Sequence, residues 1–431
     1  MSSLATEQQL CEFVEQRSDR LIEILQDLVR IPSQNTAPTG TEAGCQRYIA
    51  QLLSRLDWDP LLYSMDDVPG LKEHPWFMGG RDYANRPNLG ACLRGEGGGR
   101  SLLLSGHIDT VPVGSAHWDN DPFGGTVKGN RLYGRGSNDM KGGVATNLFV
   151  IECLRALNIK LKGDLLFESV VDEEFGGANG TLAGRLKGFN ADAVVLSEPS
   201  FLRICPAQRG GRMAHIILRS SGGILGDGPS GPGVVEQLSF LLVQLKQFGE
   251  QRRKQARPHP LYRDNPDPVP VTVTRIITAP WGTTEPITTP AECRVEIYWQ
   301  AMPGETLENI DREFLDWTAS LKTIPGSPLT GPIEVMFAGR WLPGSAISTQ
   351  DPLVVEFGRC ATRILGSAPV LAGIEGPCDM FLFHEVQQTP AILWGACGGN
   401  THAPDEFIEI DSLVDAAKVL LAFVCDWCGV A

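Results

Sequence analysis

Short apolar runs alternate with helical stretches in this chain, and the runs end on histidines or acids. Ser101–Leu104, Asp164–Val171 and Ala191–Leu196 read as strands, with a helix over Val144–Leu157 between the first two. Strands alternating with helices predict an α/β fold with a doubly wound, mostly parallel sheet. The runs lack the polar alternation of a half-exposed strand, which fits strands covered on both faces. Ahead of them, apolar residues at helical spacing from Leu10 to Val29 predict one helix, stopped before Pro32.

From Gly211 to Leu342 the pattern changes. Strands are expected at Met213–Leu218, Val269–Thr278 and Cys293–Trp299, and helices at Val234–Phe248 and Thr306–Leu321, with a basic, proline-rich connection at Arg252–Pro260. This reads as an inserted α+β domain over 211–342, dividing a catalytic domain into 1–210 and 343–431. The first fold resumes with a helix from Asp351, a suitable N-cap followed by Pro352 at the first helical position. A strand at Ala391–Trp394 and a closing helix at Leu413–Val424 complete it.

Length and charge narrow the function. At 431 residues two or three domains are expected. Lys+Arg minus Asp+Glu is 37 − 51 = −14, which argues against nucleic acid or an anionic membrane as the main partner. There is no apolar run long enough to span a bilayer, and Met1–Glu7 lacks a basic region leading into an apolar stretch, so a cytoplasmic protein is expected. The eleven scattered cysteines read as reduced thiols, including Cys425-x-x-Cys428, which has no second pair at zinc-ribbon spacing.

The chemistry follows the strands. Leu102–Leu104 leads into Ser105-Gly106-His107-Ile108-Asp109, Leu165–Val171 into Asp172-Glu173-Glu174, and Val194–Leu196 into Ser197-Glu198-Pro199. Ile392–Trp394 leads through a glycine-rich turn to His402-Ala403-Pro404-Asp405-Glu406. Tyr133–Gly143, with Asp139 near its centre, precedes a helix. Doubly wound sheets bind ligands beyond the carboxyl ends of their strands, so five segments deliver His, Asp or Glu to one edge. Imidazole nitrogens and carboxylate oxygens suit a borderline cation. Asp139, Glu174 and Glu198 bring three negative charges, which two divalent cations overbalance by one and a hydroxide restores. Neighbouring Glu173 and Glu174 point to opposite sides of an extended backbone, so one can ligate and the other act as a base. Asp109, two residues from His107, is placed to hydrogen-bond its ring. Gly134-x-Gly136-x-x-Asp139 is not a dinucleotide fingerprint, because its third glycine is an aspartate. His384-Glu385-x-x-Gln388 lacks the second histidine of the metalloprotease helix, which leaves His384 to a helix surface or a substrate rim.

These motifs resemble the zinc-dependent amidohydrolases and peptidases that include acetylornithine deacetylase, succinyl-diaminopimelate desuccinylase, aminoacylase-1 and glutamate carboxypeptidase. The matching stretches are Leu28–Ser33, Ser105–Pro112, Trp118-x-x-Asp121-Pro122-Phe123, Gly134–Gly143, Val171–Gly177, Ser197–Pro199 and His402–Glu406, in family order. The resemblance implies that His107, Asp139 and Glu198 hold one zinc and that Asp139, Glu174 and His402 hold the other, with cobalt or manganese as alternatives. It implies Glu173 as general base, Asp109 as the orienter of His107, a cis peptide after Asp139, and a homodimer formed through the inserted domain. The implied reaction is hydrolysis of an amide in an N-acyl amino acid, small peptide or related metabolite.

The inserted domain departs from the resembled family. The family's lid histidine falls at Ile224, its asparagine is replaced in Ile287-Thr288-Thr289-Pro290, and its arginine before Met302-Pro303-Gly304 gives way to Tyr298-Trp299-Gln300. Arg209, Arg212 and Arg340 are candidates for gripping a substrate carboxylate. Two other readings stand beside hydrolysis: a specialised biosynthetic enzyme using the same site for a non-standard amide or a non-hydrolytic reaction, and a non-catalytic binding homologue.

Overall fold

The structure is a computed structural model. It describes residues 6–176, 178–224, 231–256, 259–278, 288–329, 331 and 333–431. The chain divides into two compact units. The larger comprises Met1–Pro206, Ile347–Ile374 and Cys378–Ala431, and the smaller comprises Ala207–Ala346 with Glu375–Pro377. The smaller unit therefore begins four residues before Gly211 and ends four after Leu342, because Ala207–Gln208 pairs with Ser345–Ala346. Glu375–Pro377 joins it through Arg209, whose guanidinium donates to the Glu375 carbonyl.

The main sheets use β1 (Leu61–Tyr63), β2 (Asn88–Leu93), β3 (Leu102–His107), β4 (Leu165–Val170), β5 (Ala193–Leu196), β6 (Gly210–Arg219), β7 (Val271–Ile277), β8 (Glu292–Ala301), β9 (Glu334–Leu342) and β10 (Ala391–Leu393). In the larger unit the order is β1-β2-β4-β3-β5-β10. Strands β4, β3, β5 and β10 run parallel, while β2 pairs antiparallel with both β1 and β4. Every residue of β3, β4 and β5 is buried, which is why their sequences read as unbroken apolar runs. Leu103, Leu166, Val194 and Leu393 pack on one face against Met380 and Phe383. Helices Gly142–Ala156 and Ile410–Cys428 pack on each other and on β3. The fold is thus the expected α/β one. Its register puts His107 opposite Val170 and Ser105 opposite Leu196, so three parallel strands end together.

Gly142 and Gly143 let the helix that follows Asp139 start against this edge. A Cβ on Gly143 would lie 1.9 Å from the Ser197 carbonyl oxygen. The pair is therefore a packing requirement rather than a weak helix start.

The smaller unit has an antiparallel sheet in the order β7-β8-β6-β9. Along β8, Cys293, Val295, Ile297 and Trp299 are fully buried in alternation, a period of two that faces one side to the core. Helices Val234–Ala256 and Leu307–Ser320 supply the other wall through Leu241, Phe248, Ile310 and Phe314. Trp299 stacks on Phe314 at 4.4 Å between ring centroids.

Two expectations need correction. The helix over Leu10–Val29 is two helices, Glu7–Gln16 and Ser18–Arg30, broken at Arg17 (φ −114°, ψ 13°). Val14 and Leu21, seven apart, are both buried, so the apolar spacing runs across the break without marking it. The helix at Val234 runs on to Ala256 and absorbs the start of the basic connection. Its charged end hides a buried residue: Arg252 donates to Glu305, Glu313 and the Gln300 carbonyl. Residues 257 and 258 of that connection lie outside the described residues. Trp299, in the stretch where the resembled family has its arginine, belongs to the smaller unit's core.

The helix Pro352–Leu365 starts as expected, with the Asp351 side chain accepting from Leu353 N at 2.9 Å. The eleven cysteines are free thiols. Burial pushes those of Cys425 and Cys428 up to about 12, with the neighbouring Asp426 and Cys425 adding to it respectively, so both are poor nucleophiles and ligands. Among the described residues no helix is long and apolar enough to cross a membrane.

Candidate metal centre

All seven residues expected at the metal centre belong to the larger unit, and six of them present polar atoms at the edge where β3, β4 and β5 end. The seventh, Asp109, lies beneath. His107 closes β3. Its Nε2 lies 3.1 Å from Asp139 Oδ1, 3.7 Å from Glu198 Oε1 and 3.9 Å from Glu173 Oε2. His402 Nε2 lies 2.8 Å from Glu174 Oε2 and 3.3 Å from Asp139 Oδ2. Asp139 thus stands between the two imidazoles. Two groups of possible ligand atoms result, His107–Asp139–Glu174 and Glu173–Glu198–Asp379. Glu173 and Glu174 go to different groups from a turn, where Gly176 N donates to the Glu173 carbonyl at 3.0 Å, and not from the extended backbone expected of them.

Local structure holds each side chain. Ser137–Lys141 is a helical turn interrupted at Asp139, which has extended φ and ψ of −118° and 100°, and the Asp139–Met140 peptide is cis. The Glu406 carboxylate accepts from Gly136 N, Asn138 N and Asp139 N at 3.0 Å each and from Arg135 at 2.6 Å. That is the reason the His402–Glu406 motif is needed as a whole: one end offers an imidazole and the other fixes the Asp139 loop. Leu28–Ser33 serves the same loop. Buried Lys141 donates to the Leu28 and Ile31 carbonyls at 2.8 Å, and Ser33 donates to the Ile108 carbonyl at 2.7 Å. Asp405 accepts from Asp119 N and Asn120 N, tying the Trp118–Phe123 motif to the His402 turn.

Asp109 acts differently from expectation. His107 Nδ1 sits 2.9 Å from the Asp109 backbone carbonyl and 3.7 Å from its carboxylate. The carbonyl therefore fixes the tautomer. The carboxylate instead accepts from Glu173 N and Glu174 N at 3.1 and 3.2 Å, and so sets the backbone of both glutamates.

Asp379 was not singled out by sequence. It lies just ahead of the helix Phe381–Gln387, is 4% exposed and accepts from Thr181. No strand run precedes it and no motif frames it. His384 lies on that helix, half-buried.

The titration directions record surplus negative charge. Burial raises Glu173 and Glu198 well above the usual carboxylate range; His107 draws both down, and neighbouring carboxylates raise them further. Burial and then Asp139 push Glu174 up to about 7. Burial opposes a charged His107, yet Glu198, Asp139, Glu173 and Asp109 lift it well above its ordinary value. Asp139 and Glu174 hold His402 up to about 11. Five buried or nearly buried carboxylates and two imidazoles on one edge match the oxygen and nitrogen donors of a borderline divalent cation. A cation would relieve the charge that these shifts register.

The smaller unit's arginines have other engagements. Arg212 binds Asp311 in two hydrogen bonds of 2.8 and 2.9 Å. Arg209 is buried, donating to the Asp267, Pro268 and Glu375 carbonyls. Arg340 is half-buried on β9. Leu225–Gly226, Ile287 and the Ile224 side chain lie outside the described residues.

Fold and donor set together define a two-unit α/β protein with a candidate site for divalent cations, and sequence comparison supplies the family of hydrolases. The chain belongs to peptidase family M20/M25/M40, whose profile matches residues 103–426. It is 25% identical over 96% of each chain to an N-formyl-4-amino-5-aminomethyl-2-methylpyrimidine deformylase of Bacillus subtilis. It is 28% identical over 99% of each to the deformylase of the same name from Halalkalibacterium halodurans. Among solved structures, a di-peptidase from Saccharomyces cerevisiae superposes with a TM-score of 0.73 over 98% of this chain and 99% of its own, at 14% identity.

Proposed function

We propose that this protein hydrolyses the amide of a small N-acyl amine, with two zinc ions as its cofactor and cobalt or manganese as substitutes. The observation that carries the reading is Asp139 standing between His107 and His402, with Glu174 and Glu198 on either side. His107, Asp139 and Glu198 would hold one ion, and Asp139, Glu174 and His402 the other. Bound there, the ions supply Lewis acidity for the scissile carbonyl and lower the pKa of water.

The chain's own residues do the rest. Glu173 takes a proton from the attacking water and passes it to the leaving amine nitrogen. Asp109 holds the Glu173 and Glu174 amides and, through its carbonyl, the donor tautomer at His107 Nδ1.

Two observations support an N-formyl amine over an N-acyl amino acid. The nearly full-length relatives are deformylases. The guanidiniums of Arg209 and Arg212, two of the three candidates for a substrate carboxylate, are engaged by carbonyls and by Asp311. The reading includes a cytoplasmic location, in keeping with an odd number of scattered thiols.

The test is acid release in ¹⁸O-water. The metal-replete protein, offered N-formyl amines, N-acetyl amino acids and dipeptides, should release formate fastest, with solvent oxygen in the new carboxylate. Turnover without label would favour a non-hydrolytic reaction, and no turnover on any amide would defeat the proposal. A homodimer through the smaller unit, with β7 at the edge of its sheet among the described residues and carrying exposed Ile276 and Ile277, is part of the reading. Sedimentation should give twice the chain mass, and the chain mass alone at all concentrations would count against it.

A further inference from the structure

Two buried carboxylates, Asp109 and Asp172, lie behind the metal-facing edge with a single neutral side chain donating to both. Asn35 is fully buried. Its Nδ2 donates to Asp109 Oδ2 at 3.0 Å and to Asp172 Oδ1 at 3.3 Å. The orientation of this amide is set from its other end, because Asn35 Oδ1 accepts from Ala37 N at 3.3 Å. Its backbone is set as well: Asn35 N donates to the Thr110 carbonyl at 2.9 Å. Both amide hydrogens are thereby aimed at carboxylates.

We infer that Asn35 is a positioning residue for the metal centre, acting through Asp109 on the Glu173–Glu174 backbone. The inference rests on the metal reading above. Asp109 can hold the Glu173 and Glu174 amides only while its carboxylate stays turned toward them. Asp172 is fixed by Tyr83 Oη at 2.8 Å and by the guanidiniums of Arg81 and Arg86 at 3.4 and 3.7 Å, so it is not the member that yields. Asn35 ties the Asp109 carboxylate to that anchored group through a shared donor. Without it Asp109 loses this tie while Asp172 keeps its own partners, and the segment bearing one proposed ligand and the proposed base loses its anchor. Partners that orient ligands from behind typically contribute 10–100-fold to metal affinity.

The experiment compares wild type, Asn35→Ala and Asn35→Asp, each metal-stripped and then titrated with cobalt against a chromogenic chelator, well below the melting temperature of every variant. Asn35→Asp keeps the shape and removes the donor. Both variants should bind cobalt about 10–100-fold more weakly, with shifted visible absorption bands for the bound ion. A purely structural role would lower the melting temperature of the stripped protein while leaving cobalt affinity and bands unchanged, and that result overturns the inference. Asn35→Ser supplies the measurement if Asn35→Ala does not fold. A wild type that takes up no cobalt would instead defeat the metal reading itself.

Discussion

Glu173 and Glu174 are adjacent in sequence and chemically opposite in use. One reaches Glu198 and Asp379, and the other reaches His402 at 2.8 Å. If Glu173 moves the proton, Glu173→Gln should lower turnover about 10²–10⁴-fold while leaving bound metal unchanged in elemental analysis. Loss of metal alongside activity would make it a ligand instead. These residues were legible in the sequence because each follows an apolar run, and strand ends in a parallel sheet share an edge. Asp379 was not, because it approaches that edge from the start of a helix, and a lone acid in Gly376-Pro377-Cys378-Asp379 carries no periodic signal. Asp109 was legible as important but not in its role. Residue spacing says which side a group occupies, and only geometry says that its carbonyl, not its carboxylate, meets the ring.

At the scale of elements, the centre depends on how closely one helix can approach one loop. Helix Gly142–Ala156 begins where Gly143 meets Ser197, directly before Glu198. Gly143→Ala should destabilise the protein by about 1–3 kcal/mol, as overpacking does, and weaken metal binding by displacing Glu198. Denaturant unfolding with a metal titration checks both, and unchanged affinity would show that the loop absorbs the methyl group elsewhere. Element type was readable wherever one face was apolar and the period clear, as along β8. The break at Arg17 was not, since both helices keep the same buried stripe. Nor was the end of the helix at Ala256, where buried Arg252 looks in sequence like part of a solvated charge run.

Over the whole molecule, the stability of the metal-stripped protein should depend on pH with a definite sign. Glu173, Glu174, Glu198, His107 and His402 all have folded-state pKa values above their ordinary ones. Each binds more protons folded than unfolded between those two values, so stability is greatest below the carboxylates' ordinary value and declines as pH rises. For Glu174 the loss runs from about 4.5 through about 7, and for His402 it continues toward about 11. Asp139, held low mainly by the two histidines against the effect of burial, has the opposite sign, but only at more acidic pH. Urea unfolding of the stripped protein from pH 5 to pH 8 should show a fall of more than about 1.4 kcal/mol, the equivalent of one pK unit. Metal-loaded protein should lose that decline and instead gain stability from pH 5 to about 6.5, because its histidine ligands are deprotonated when folded and bind protons only when unfolded. A flat profile for the stripped protein would mean that the carboxylates are not crowded as the structure has them.

The most direct measurement is the metal content of an active preparation set against its activity. The account predicts two divalent transition ions per chain, loss of amide hydrolysis when a chelator removes them, and recovery when they are returned. An active protein with no bound transition ion, whose turnover a chelator leaves untouched, would contradict it.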